Sequence, residues 1–164
     1  MFARMEQLGA EGQQAAAFLR ARRTKVGFKK ARRSVGGFWA LGKSIYLNSY
    51  YYSYENTLHD LRAVTLLVHE VRHLQQGFWT ALSVYGELDA WQLEFRIYHK
   101  VRKRYPHPAI EEIMSLPPGW NREVLRRAVH LMQDYAGKGY RADLLPLYPL
   151  DKEIKYRLFK KQPV

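Results

Sequence analysis

Apolar and polar positions alternate in a way that divides the chain into a helical opening, a short strand region and a long helical remainder. Phe2, Met5, Leu8, Ala15, Phe18 and Leu19 share one broad apolar face over residues 2–23, as a surface helix requires. Gly9 and Gly12 weaken that periodicity, so the helix is expected either over the whole span or only after Gly12. Val26 and Phe28 alternate with polar neighbours and predict a short strand. Residues 36–48 predict a hairpin, with Phe38 and Trp39 in one arm, residues 40–43 as the turn and residues 44–47 as the second arm. Residues 63–68 are nearly all apolar, which suits a helix buried on most sides and running through residues 61–74.

Breakers and caps bound the other elements. Thr57, three residues before Asp60, predicts a capping box ahead of the apolar helix, and Gly77 predicts its end. A second long helix is expected from Ala81 or Ser83 to Arg104, with Leu88, Trp91, Phe95 and Tyr98 facing inward and Pro106 and Pro108 ending it. Residues 110–116 predict a short helix. Asn121 caps another that reaches Ala136 and closes at Gly137. Residues 144–149 read as extended, and residues 151–161 as a basic tail in strand or helix. The fold class expected is α+β and mostly helical. Its 164 residues suffice for one domain with a real core, divided into an N-terminal helix (1–23), a central core (25–104) and a C-terminal helical region with a basic tail (105–164).

Composition narrows the chemistry. The chain has no cysteine, which excludes disulfides and thiolate metal sites and leaves His and carboxylates as the strong zinc ligands. With 12 Tyr, 7 Phe and 4 Trp it has ample material for a packed core. No apolar run reaches the roughly 18 residues of a membrane span. The N-terminus lacks the order of a signal peptide, so the cytoplasm is the expected compartment, without membrane attachment. The net charge of +12 favours acidic partners. Eight of those cations, Arg20, Arg22, Arg23, Lys25, Lys29, Lys30, Arg32 and Arg33, fall in one stretch. Nucleic acid could be its partner. No nucleic-acid-binding motif accompanies it, and a solvated basic face or an edge strand protected by charge is the preferred reading. Tyr50, Tyr51, Tyr52 and Tyr54 either line a substrate groove or pack, with packing preferred.

The apolar helix carries His69-Glu70-Val71-Arg72-His73. Positions i and i+4 stack on one helix face, so both imidazoles can converge on one ion. Glu70, the next residue along, can then act on water held at that ion. Without a metal, this buried polar trio would need other partners. A third ligand is required. A His six residues after His73 is ruled out by Trp79, and the glycine that goes with it by Gln76. Glu87, 14 residues after His73 on the next helix, fits, with Asp89 as the alternative.

His69-Glu70-x-x-His73 followed by Glu87-Leu88-Asp89-Ala90 resembles the gluzincin metallopeptidases, over roughly residues 36–98. The resemblance implies a minimal zincin-like fold, Zn2+ held by His69, His73 and Glu87, and Glu70 as general base in peptide hydrolysis. Ala90 would allow the two helices to approach. Residues 44–47 resemble the family's edge strand, which pairs with extended substrate. The family also has an Asp four residues after the ligand Glu to orient a histidine; here that position is Trp91, so either Glu94 or a backbone carbonyl takes the role or the site is weakened. The oxyanion partner is left among His99, His107, His130, Tyr135, Tyr140 and Arg141, and His59 reads as a surface or cap residue. The expected partners are a peptide or protein substrate and a regulatory protein, with nucleic acid less favoured. A catalytically weak or inactive zincin-fold protein, acting as a basic regulatory or nucleic-acid-associated binding module, is the alternative.

Overall fold

Side-chain caps set the starts of most of the long helices. The computed structural model describes residues 1–40 and 44–160. The opening apolar face is split between α1 (Phe2–Glu6) and α2 (Ala10–Ala21), which break at Gly9, and Gly12 lies inside α2 rather than ahead of it. Strands β1 (Lys25–Lys29), β2 (Gly37–Ala40) and β3 (Ser44–Asn48) follow. Ser53 and Asn56 form a capping box on the short α3 (Tyr54–Thr57). The box expected from Thr57 and Asp60 is not the one that forms. Thr57 closes α3, and Asp60 alone caps α4 (Leu61–Gln76), its carboxylate accepting the Arg62 N–H at 2.8 Å.

Helix α5 (Phe78–Ala81) follows Gly77 at once, and Ser83 caps α6 (Val84–Arg102). Helix α6 ends at Lys103, in the left-handed conformation, so Pro106 and Pro108 follow the stop rather than cause it. Next come α7 (Pro108–Ser115), α8 (Arg122–Ala136) capped by Asn121, a 3-10 turn (Ala142–Leu144) and α9 (Leu150–Phe159). Residues 150–159 are therefore helix rather than strand, and Lys161 lies outside the described residues. The fold is α+β and mostly helical, as expected.

The sheet order is β1-β3-β2. Strand β3 runs parallel to β1, with Val26 opposite Ile45, and antiparallel to β2, with Phe38 opposite Tyr46. The expected hairpin pairing is present; positions 41–43 of its turn lie outside the described residues. Strand β1 is an edge strand with exposed lysines at both ends, the charged-edge arrangement that blocks pairing with other chains. Strand β3 is central, however, so residues 44–47 cannot be the edge that takes a substrate. The second edge is β2.

Two apolar clusters flank the long helices. Val64, Leu67, Val68 and Val71 of α4 pack with Met5, Leu19 and Ile45. Leu88, Trp91 and Phe95 of α6 pack with Ile110, Ile113, Leu125 and Met132 of α7 and α8. Each such aliphatic side chain contributes roughly 1.5–3 kcal/mol on burial, so α4 and α6 are held from opposite sides while facing one another.

Helix α9 is anchored by charge. Arg122 donates to the buried Glu153 at 2.9 and 3.3 Å, Arg157 donates at 3.1 Å, and the Arg122 guanidinium lies 4.2 Å from the Tyr156 ring centroid. Burial raises the Glu153 pKa, but the arginine hydrogen bonds outweigh it and hold the group below the ordinary 4.5. A lowered carboxylate pKa stabilises the fold fully above the unfolded value, and that contribution is lost as pH falls through the folded one. Glu153→Gln is expected to cost roughly 2 kcal/mol at neutral pH. In thermal melts its deficit against the wild type should shrink below pH 4.5.

Candidate metal centre

The face of α4 opposite its aliphatic stripe opens on a cavity of about 450 Å³. His69, Glu70 and His73 line it, and all three are buried. One turn apart on α4, His69 and His73 bring their Nε2 atoms within 3.0 Å. From α6, Glu87 places Oε1 3.5 Å from His73 Nε2 and Oε2 3.8 Å from His69 Nε2. Donors bonded tetrahedrally at about 2.0–2.1 Å sit about 3.3 Å from one another. The three spacings bracket that value, so the side chains fit a divalent metal with two imidazoles and one carboxylate. His69, His73 and Glu87 form a group whose ligand atoms all lie within 4.8 Å of one another. Asp89, the alternative ligand, is engaged elsewhere and accepts from Arg72 Nε at 2.6 Å and Gln76 Nε2 at 2.7 Å.

Contacts just outside the donor group fix its geometry. Gln76 spans the two helices: its Oε1 lies 3.1 Å from His73 Nδ1, and its Nε2 donates to the Gly86 carbonyl at 2.9 Å. Gly86 permits that approach, since a Cβ there would lie 3.1 Å from Gln76 Oε1, and it permits the corner between α5 and α6, where the Thr80 carbonyl oxygen would be 2.0 Å away. Ala90 is fully buried, as a small residue at this approach should be. His69 Nδ1 lies 3.1 Å from Glu94 Oε2, an ion-pair contact short of a well-aligned hydrogen bond. Of the two acceptors expected for that role, Glu94 is the group at hand.

Trp91 supports the third ligand through Tyr140. Its indole N–H donates to the Tyr140 hydroxyl at 3.0 Å, and that hydroxyl donates to Glu87 Oε2. Burial and the Glu87 carboxylate raise the Tyr140 pKa far above its usual value, so the phenol keeps its proton and remains a donor. Partners outside the ligand set typically govern metal affinity 10- to 100-fold. Tyr140→Phe is accordingly expected to weaken metal retention about tenfold in a chelator competition.

The buried charges are coupled. Burial opposes a charged His69, but the carboxylates of Glu94, Glu70 and Glu87 outweigh it and raise its pKa. Burial lowers that of His73, and the neighbouring His69 charge lowers it further. Glu70 is pushed up to about 8 by burial, opposed by His69 and reinforced by Glu87 and Glu94, while the Trp39 backbone N–H bonds to its carboxylate.

Of the residues considered for the oxyanion, Tyr135 and Tyr140 line the cavity. His99 stacks on Tyr105, His107 caps α7, Arg141 pairs with Asp143, and His130 is exposed. His59 is exposed, as expected of a surface or cap residue. Tyr51 and Tyr52 line the cavity too, which departs from the preference for packing, while Tyr50 and Tyr54 are exposed. Among the described residues no helix is long and apolar enough to cross a membrane. Comparisons of the chain with protein-family models, curated proteins and solved structures found no match.

Proposed function

We propose that the protein is a zinc-dependent metallopeptidase of gluzincin type. The observation that carries this reading is the buried donor group of His69, His73 and Glu87, with Glu70 beside it, opening on a cleft. Zinc bound there supplies Lewis acidity, polarising a substrate carbonyl and making water a stronger acid. Glu70 takes the proton from the attacking water and later delivers it to the leaving amine. The Trp39 N–H orients its carboxylate, and a Cβ on Gly37 would come within 3.1 Å of Glu70 Oε1, so β2 lies directly against the base.

Strand β2 is also the edge beside the cleft. Antiparallel strands direct alternate backbone groups toward and away from a partner. The Trp39 N–H, turned to Glu70 rather than to β3, marks the side of β2 on which an extended peptide would add. This moves the substrate-pairing role from β3 to β2.

The test is zinc content per chain together with hydrolysis of a peptide library. The wild type is expected to hold about one zinc, and Glu87→Ala to lose most of it along with hydrolysis. A wild type that takes up no zinc, or hydrolysis that persists after exhaustive chelation, would overturn the reading.

A further inference from the structure

Two arginines line the same cavity as the donor group, and neither has a carboxylate partner among the described residues. Arg62, in the first turn of α4, is exposed and donates to the Tyr135 hydroxyl. Arg33, at the end of the basic run, is exposed as well and lies 4.5 Å from the Tyr50 ring centroid. Several other arginines meet carboxylates, as Arg72 meets Asp89 and Arg122 meets Glu153.

The loop that carries Arg33 is held in place. The buried Asn48 accepts from the Ala31 N–H at 3.0 Å and donates to the carbonyls of Arg32 and Val35 at 2.9 and 2.7 Å. The Tyr51 hydroxyl donates to the Arg33 carbonyl at 2.6 Å. Tyr51 and Tyr52, with ring centroids 6.2 Å apart, continue the wall of the cavity between the two arginines. A planar cation without a carboxylate partner is a receptor for one.

We propose that the cleft selects peptide segments with an acidic side chain about three residues from the scissile bond, received by Arg62 and Arg33. The proposal rests on the peptidase reading. Arg62 precedes His69 by seven positions on α4, which is about 10.5 Å along the helix axis. An extended peptide advances about 3.3 Å per residue, and that span sets the register. Of the carboxylates that line the cavity, Glu87 and Glu94 lie against the imidazoles. The overall +12 charge further steers acidic segments toward the protein. The basic run and the tyrosines beside it thereby gain a role in the cleft.

The test uses zinc-loaded protein and peptides that differ only by Glu, Gln or Lys at each position around the cleaved bond. Binding of the Glu and Gln peptides and of a single-stranded RNA oligonucleotide is measured alongside by fluorescence anisotropy. Glu at the third position on one side is expected to raise kcat/KM about tenfold over Gln. The double variant R33Q/R62Q should collapse that ratio toward one, while K25Q/K29Q, with the same change in net charge, keeps it. Cleavage indifferent to charge would overturn the proposal and leave the peptidase reading standing. Absence of cleavage, with Glu-peptide binding that R33Q/R62Q abolishes, would overturn the peptidase reading and sustain the acidic receptor. Absence of both cleavage and selective binding overturns both. Preferential RNA binding that depends on the two arginines overturns the peptide assignment.

Discussion

Glu70→Gln is expected to lower peptide hydrolysis about a thousandfold while leaving zinc content unchanged. The change is isosteric, and the amide oxygen can still accept the Trp39 N–H that orients the carboxylate. Glu70 contributes no atom to the donor group of His69, His73 and Glu87, so metal binding should survive. What disappears is the ability to take a proton and return it. General acid–base catalysis by one positioned group typically accounts for 10²- to 10⁴-fold. Burial raises the Glu70 carboxyl above the ordinary carboxylate range, and a divalent cation at the neighbouring donor group would draw it back toward the ionised form that accepts a proton. Glu87→Ala should look different, because there metal and activity fall together. A Glu70→Gln protein that retains wild-type turnover would assign the base elsewhere, even if the zinc site stood.

The donor group was largely legible because helical spacing is a local rule. His69 and His73 are four apart, so any helix through residues 61–76 stacks them, and the apolar run from Ala63 to Val68 makes that helix necessary. Asn121 and Gly137 bound α8 by equally local cap chemistry. The support around the ligands was illegible for the converse reason. Tyr140 reaches Glu87 across 53 residues and Trp91 across 49, distances over which no periodicity operates. Spacing alone left Tyr140 one of six residues eligible for the oxyanion and gave no sign of its contact with Glu87, which packing of the segment after α8 against α6 produces. Trp91 read as a departure that left Glu94, a backbone carbonyl or a weakened site as the alternatives. Its indole N–H works through Tyr140 on Glu87, a contact that position alone does not reveal. Strand order failed likewise, since the alternation around Ile45 and Leu47 marks a strand without saying which neighbours flank it. Asn48, which shapes the Arg33 loop through both amide atoms, had no signal at all.

Gly86→Ala is expected to destabilise the protein and weaken metal binding together. Two effects of opposite sign compete at this position. In a helix, alanine is favoured over glycine by about 1 kcal/mol, so an unobstructed substitution would stabilise α6. Here the added Cβ would sit 2.0 Å from the Thr80 carbonyl oxygen and 2.8 Å from its carbon. Those atoms are backbone and cannot rotate aside, so the corner between α5 and α6 must open. Overpacking of a well-filled site costs roughly 1–3 kcal/mol, occasionally more. Against rigid backbone the upper end applies, leaving a net loss of about 2 kcal/mol, or about 4–8 °C in Tm for a chain of this size. The shift passes directly to the donor group. Gly86 precedes Glu87, its N–H is capped by Ser83 at 3.0 Å, and its carbonyl holds the Gln76 amide that also contacts His73. Moving the corner therefore displaces the third ligand and loosens the second imidazole, and zinc affinity should fall about a hundredfold. An alanine variant that melts higher and keeps its metal would show that propensity wins, and that the α5–α6 corner at Gly86 does not set the position of Glu87.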